Sequence, residues 1–511
     1  MTEPRALTAA TWVVIAAMVA LALATCLLAL AFPLELELRE GTAWLHVLAL
    51  RAGVPLYDHT QVAFVNMNHG PLDPVLKHAI AAALPWLAPA AVTRTFVLLL
   101  PLGLWLALRR AVPGAPRAAL GWAAGLQLFL LGLQPPHFLL GRSDPTALFL
   151  FALMLALAPA PSEERPLLRH AAMAALGALS LAANWRNFPA VGAVLVGFGL
   201  ETITGSASGT RWAAVGKVAL AQGLGFAGPV AAILLGQFRG DLDLYWRHFF
   251  GFFTSASGWG TTQAPAFALV PGALARSHAL VHAGLIALVA LGLVFPTKRV
   301  PRRIQAWVWL PLLALLGLTC SVAYWLNHGG GGLHYYAAFY TLLAFHLARA
   351  VAWNDLPWRI ARLALPAVLV AGLPWIGTWS QCVTLARSME PAHAFLAACR
   401  EAAAGAPIHS EDYHLFKTVY RGERVDMGDE VFAVSRTGFF GPAFTATATR
   451  AFAELDQNPP PFVLVGECAS PPLRALLARA YAPALRVPYR PEPFAGPAQT
   501  LFRLKAAAPP P

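Results

Sequence analysis

"AATWVVIAAMVALALATCLLALAFPLELELREG", Ala9 to Gly41, decides how the rest of the chain is read. From Ala9 to Phe32 there is no charged residue, and the run is long enough to cross a bilayer core as a helix. It is too long for the apolar region of a signal peptide and carries no small-residue cleavage pattern, so it reads as a retained span, a signal anchor. Directly behind it stand Glu35, Glu37, Arg39 and Glu40. Charges packed this closely behind a span either mark where the helix meets water or do chemistry at the membrane surface.

Composition extends the membrane reading to the whole chain. The 511 residues are 58% hydrophobic and only 12% charged, with a mean hydropathy of +0.57. A soluble protein of this length needs a more charged surface. The net charge of +12 could suggest nucleic acid, but the positions of the basic residues argue for helix orientation instead. Apolar runs recur near 9–32, 92–108, 118–133, 145–160, 171–183, 188–204, 213–235, 278–296, 306–326, 335–352 and 363–380. They predict an all-α polytopic protein with about eleven transmembrane helices. With the N-terminus cytoplasmic, the inside loops collect Arg109, Arg110 and Arg117, then Arg165 and Arg169, then Arg211 and Lys217. Further along they hold Lys298, Arg299, Arg302 and Arg303, then Arg349, Arg359 and Arg362, whereas the short outside loops carry Arg142, Arg186 or no cation. This is the positive-inside pattern, and it predicts a multi-pass protein of the plasma (inner) membrane.

Two segments read as lying outside the bilayer. Residues 33–91 form a long first extracytoplasmic loop, with helical stretches near 42–52 and 72–86 expected to lie along the interface. Residues 381–511 read as a small extracytoplasmic α/β domain behind a membrane module, 1–380. Its first helix is expected to carry Pro391 in the first turn and to stop at Gly405, and Phe462–Val465 reads as a buried strand. Of the five cysteines, Cys382, Cys399 and Cys468 share that domain, and their pairing stays open. No Cys or His spacing is a metal signature and no cofactor motif is evident, although a divalent metal remains compatible with the sequence. "GGGG" (329–332) lacks the lysine and hydroxyl of a phosphate loop and reads as a hinge.

The candidate chemistry gathers at the outside ends of the spans. Glu40 is the leading carboxylate; Arg142 and Asp144 in "GRSDP", Arg186 in "NWRNF", and His334 and Tyr335 follow. Asp58 and His69 belong to the first loop, and "YDHT" around Asp58 reads equally as a turn. Glu35 and Glu37 are expected to be solvated or paired with Arg39. A carboxylate can accept a proton from a hydroxyl. Arginine holds a phosphate bidentately without losing its charge.

The stretches "EGTAWLHVLALRAGVPLYDHTQ" (40–61), "GPLDPVLKHAIAAAL" (70–84) and "VTR" (92–94) resemble the first outside loop of GT-C superfamily glycosyltransferases. Within that superfamily, the similarity is to the protein O-mannosyltransferase-like and aminoarabinose-transferase-like group. "GRSDPTALFLFALMLAL" (141–157) resembles that group's recurrent Arg-x-Asp stretch, and "GGGGLHYYAAFYTLLAF" (329–345) its Gly-rich approach to a late span. The resemblance implies transfer of a sugar from a polyprenyl-phosphate donor to an acceptor hydroxyl outside the membrane, with inversion. It implies Glu40 as the proton acceptor, although Arg39-Glu40 stands where many relatives carry Asp or Asp-Glu. Arg142 and Arg186 would hold the donor phosphate, and the acceptor, whether glycan, lipid or protein, is open. Two other classes compete: a lipid or polysaccharide transporter or flippase, and a non-catalytic component of envelope assembly. No internal symmetry of the transporter kind is evident.

Overall fold

The computed structural model describes residues 5–36, 38–64, 70–111, 141–158, 166–206, 208–248, 303–326, 337–352, 374–411, 413–426, 428–466, 469–487 and 499–505. The chain opens with α1 (Arg5–Ala31), α2 (Leu38–Arg51), α3 (Leu72–Ala83), a one-turn α4 (Pro89–Thr93) and α5 (Thr95–Ala111). Then come α6 (Ser143–Ala156), α7 (Pro166–Ala183), α8 (Phe188–Gly205), α9 (Arg211–Phe238) and the short α10 (Leu242–Trp246). The bundle continues with α11 (Arg303–Leu326) and α12 (Ala337–Ala352), and α13 (Pro374–Ala403) leads out of it. Beyond lie β1 (Ile408–His409), α14 (Gly428–Thr437), α15 (Pro442–Gln457), β2 (Phe462–Val465), α16 (Pro471–Ala480), β3 (Tyr481–Val487) and β4 (Gln499–Leu504).

Every predicted span within the described residues coincides with a helix; 118–133 and 278–296, with most of 363–380, lie outside them. Among the described residues, four segments are long and apolar enough to cross a membrane: Pro89–Ala111, Pro166–Ala183, Trp185–Gly205 and Arg211–Phe238. Shorter apolar helices cover Ala20–Ala31, Ser143–Ala156, Trp307–Cys320 and Ala337–His346. Their core is one apolar cluster in which Leu104 and Leu108 of α5 meet Phe151 of α6, Phe198 of α8, Trp309 of α11 and Phe339 of α12. Apolar side chains gain little by leaving lipid for each other, so close backbone approach matters more. Where α9 crosses α7, a Cβ on Gly225 would stand 2.1 Å from the Ala171 carbonyl oxygen. Only glycine allows that crossing.

The two ends of the bundle differ in chemistry. At one end, Arg110 donates to the Ala158 carbonyl at 2.8 Å, and Glu201 of α8 receives Trp309 Nε1 at 2.6 Å and Arg349 Nη1 at 3.1 Å. The other end carries α2, α3 and the C-terminal sheet. That sheet has the order β1-β2-β4-β3, parallel between β1 and β2 and antiparallel elsewhere. All four residues of β2 are buried, as the apolar run after three prolines predicted.

Two expectations are corrected here. The helix expected to carry Pro391 in its first turn starts instead at Pro374 and runs through Pro391, ending where Ala404 and Gly405 take positive φ of 47° and 83°. Leu385, Ala392, Phe395 and Cys399 pack on Cys26, Ala29 and Phe32 of α1. That contact supports one continuous helix despite the missing proline N–H. The loop helices form close to where they were expected, but α2 does not rest on lipid. Trp44, Leu45, Val47, Leu48 and Ala49 are all buried: Trp44, Val47 and Leu48 against Ala81 of α3, Ala90 and Val92 of α4 and Leu415, and Leu45 and Ala49 against Tyr57, Phe64 and Phe238. Trp44 Nε1 donates to the Lys417 carbonyl at 2.7 Å, and Ala63 N donates to the Arg424 carbonyl at 2.8 Å.

Candidate functional site

The stretch Gly141–Thr146 is where the polar groups of four helices meet. It forms the head of α6, with Arg142 as the extended residue before the helix and Asp144 in its first turn. An acidic residue there faces the positive end of the helix dipole. Arg142 Nε lies 3.2 Å from Asp144 Oδ2, and Arg186 Nη1 lies 3.5 Å from Asp144 Oδ1. Asn184 Nδ2 donates to the same Oδ1 at 3.0 Å and approaches Ser143 Oγ at 3.3 Å. Arg186 stands on the one-turn 3-10 helix Trp185–Asn187 between α7 and α8, capped by Asn184. The side chains of Arg142, Asp144 and Arg186 are no more than 10% exposed. Arg186 is thus brought from beyond α7 to the neighbouring pair Arg142 and Asp144.

A second group supports this one from beneath. Lys77 Nζ of α3 binds Asp73 Oδ2 at 2.7 Å, the Gly141 carbonyl at 2.7 Å and the Arg142 carbonyl at 3.4 Å. Thr146 Oγ1 donates to the other Asp73 oxygen. Asp73 and Lys77 are both fully buried, so the pair is costly to desolvate and depends on these extra bonds. Sequence reasoning did not single them out. The signal was an acid and a base four residues apart on an otherwise apolar helix.

Glu40 has a different environment from the one its motif suggested. Its carboxylate is fully buried and accepts from four donors. Arg94 Nε and Nη2 approach at 2.9 and 2.6 Å, and Leu36 N at 2.6 Å. Gly141 N is the fourth. Arg94 in turn donates to the carbonyls of Ala29, Phe32 at 2.8 Å and Leu34 at 2.7 Å, satisfying the open C-terminal end of α1. All usual acceptor directions of Glu40 are taken, leaving none for an incoming hydroxyl. In this arrangement Glu40 ties α1, α2 and α4 to the head of α6.

The remaining candidates separate. Asp58 closes a turn, accepting from Thr60 N, Thr60 Oγ1 and Gln61 Nε2, and sits 3.7 Å from Arg239. The Thr60 hydroxyl, first among these, holds its carboxyl below the usual range. Glu35 is neither solvated nor paired with Arg39. It is buried, and one oxygen accepts from His414 N at 2.5 Å and Leu415 N at 2.6 Å. Burial pushes its carboxyl up to about 7. Arg39 pairs instead with Glu430 at 3.3 Å. His69, His334 and Tyr335 lie outside the described residues, as do Glu37, His328 and Cys468. Cys382 and Cys399 are both free thiols, and burial raises Cys399 to about 12. Among the described residues, no group of three or more His, Cys, Asp or Glu side chains could hold a metal ion.

Fold and site together define a polytopic membrane protein that gathers two arginines, a carboxylate and an amide at one end of its bundle. The same fold occurs in the crystal structure of ArnT from Cupriavidus metallidurans in the apo state. The likeness covers 97% of this chain and 98% of that one, at a TM-score of 0.50 and 12% identity. At that identity the likeness is one of fold alone. No family model matches the sequence, and no curated protein matches it.

Proposed function

We propose that this protein is a membrane glycosyltransferase moving a sugar from a polyprenyl-phosphate donor to an acceptor hydroxyl at the extracytoplasmic face. One observation carries the reading: Arg142, Asp144, Asn184 and Arg186 converge at the head of α6. The motif order and the shared fold support this class, and the cluster offers a chemistry that suits it. Its two guanidiniums and one carboxylate carry one net positive charge, which a phosphodiester balances. The first N–H groups of α6 add a further preference for an anion. In a site closed to water, such donors stabilise the charge that collects on the departing phosphate.

The step is a displacement. The acceptor oxygen bonds to the anomeric carbon as the bond from that carbon to the phosphate oxygen breaks. Polyprenyl phosphate leaves with the electron pair, and the hydroxyl proton passes to a carboxylate. Asp144 is our candidate for that acceptor in place of Glu40, because a bound phosphate competes for Arg142 and Arg186 and so releases the Asp144 oxygens. Lys77, Asp73 and Glu40 hold the stretch in position. The extracytoplasmic setting is supported by Arg109, Arg110, Arg211 and Arg349, which sit at the ends of their helices away from the site.

Purified protein supplied with a panel of polyprenyl-phosphate sugars tests the reading. Asp144→Asn, Arg142→Ala and Arg186→Ala should each lower transfer by about a hundredfold or more, far beyond what their loss of melting temperature accounts for. Normal turnover by Asp144→Asn would remove the assigned proton acceptor. Movement of labelled lipid across the bilayer without a new glycosidic bond would indicate a transporter instead.

A further inference from the structure

The C-terminal module holds a cavity that the site above does not use. Its volume is about 400 Å³, within the usual range for small-molecule sites. Three pieces of chain wall it: the edge strand β1 with its flanking residues, the segment 421–425, and one face of α15. His409, Arg421, Arg424, Phe452, Glu454 and Asn458 carry its chemistry.

The wall carboxylates Glu411, Glu423 and Glu454 stand against Arg421, Arg424 and, just behind the wall, Lys417. Arg424 pairs with Glu454 at 2.9 Å across the rim, and Glu423 is held by Lys417 at 2.7 Å and by the Arg421 backbone N–H at 2.7 Å. Glu411, deeper in the wall, accepts from Ser470 N at 2.8 Å and Ser470 Oγ at 3.0 Å. Among the described residues, no surplus of either sign is left to select a strongly charged ligand. An apolar ligand fares no better, since it would strip water from Arg421, Glu454 and Asn458 without replacing those hydrogen bonds. What remains are donors and acceptors interleaved around one aromatic ring. Guanidinium and amide donate, carboxylate accepts, and Phe452 offers an apolar face.

A sugar hydroxyl is donor and acceptor at once, and the C–H face of a pyranose packs on an aromatic ring. We propose that this cavity binds a neutral saccharide, a mono- or disaccharide unit of a glycan. Arg421, Glu454 and Asn458 bond its hydroxyls, and Phe452 lies against its ring. Burial pushes His409 down to about 4, so the imidazole in the wall stays neutral and the balance of charge holds across the neutral pH range.

The test is titration calorimetry on the full-length protein, purified in an amine-oxide detergent so that no sugar headgroup is present. The probes are neutral mono- and disaccharides of gluco, galacto and N-acetyl type, with inorganic phosphate and a uronic acid as comparators. At least one neutral probe should bind saturably. Arg421→Ala, Glu454→Ala and Asn458→Ala should each weaken it about fivefold or more at an unchanged melting temperature. Asp144→Asn should leave this binding intact, which keeps the cavity and the transfer reaction separable. Binding by none of the neutral probes would overturn the proposal. So would tighter binding of phosphate or the uronic acid, or indifference to all three substitutions.

Discussion

Glu40 and Arg94 show how much the surroundings of a carboxylate decide its job. Both side chains are fully buried and joined by two short bonds, with α1 carbonyls completing the guanidinium. Removing one partner strands the other's charge in a dry interior, which costs about 3–5 kcal/mol. Glu40→Gln is therefore expected to fail by instability: reduced yield and a lowered melting temperature in detergent, measured by thermal unfolding alongside Asp144→Asn, whose slightly exposed cluster should lose less. Arg94→Met should behave like Glu40→Gln. Full stability with lost transfer in Glu40→Gln would instead return the proton-accepting role to Glu40. From sequence, Glu40, Arg142, Asp144 and Arg186 could be picked out, because ionisable groups near membrane depth are few. Which of them joined one polar cluster and which closed a clamp was not legible. That depends on Leu36 N, Gly141 N and Arg94 arriving from three places, and no local pattern encodes their meeting.

At the scale of elements, the site is a property of how α6 begins. Gly141 sits against α4 so closely that a Cβ would stand 3.0 Å from both Cβ and Oγ1 of Thr93. Its N–H goes to Glu40 and its carbonyl to Lys77. A side chain here pushes the Arg142–Asp144 turn away from both. Gly141→Ala should destabilise by about 1–3 kcal/mol, the usual range for overpacking, and should lower transfer more than it lowers stability. Paired melting curves and transfer assays on the variant check this, and a proportionate loss of both would reduce Gly141 to a packing residue. The helices themselves were readable because long apolar runs with polar breaks leave few alternatives in a membrane. The loop helices at 38–51 and 72–83 were readable too, yet the surface they pack against was not. An apolar face suits lipid and protein equally, and what decides between them is protein arriving from a distance: Leu415 and the Lys417 carbonyl at Trp44, and Phe238 beside Leu45.

For the molecule as a whole, the join between bundle and C-terminal module should respond to pH. Glu35, at the exit of α1, takes the N–H groups of His414 and Leu415 while its carboxyl is buried. Burial raises that carboxyl from its ordinary 4.5 to about 7. The folded state thus binds a proton that the unfolded chain has released, and stability falls as pH rises from about 4.5 through about 7. Fully developed, the loss is on the order of 3 kcal/mol. The buried histidines His59 and His248, 3.0 Å apart at Nε2, act in the opposite sense. Burial holds His59 at about 4 and His248 well below its ordinary value. Their contribution is present above about 6.5 and is lost as pH falls towards 4. Because the two effects overlap in the wild-type protein, the variant that separates them is Glu35→Gln, which keeps an acceptor for His414 and Leu415 but cannot ionise. Relative to wild type, its melting temperature should be near equal at pH 5 and clearly higher at pH 8, with the gap opening between those values. A constant gap across that range would mean that Glu35 ionises freely and that the join between bundle and module is indifferent to its charge.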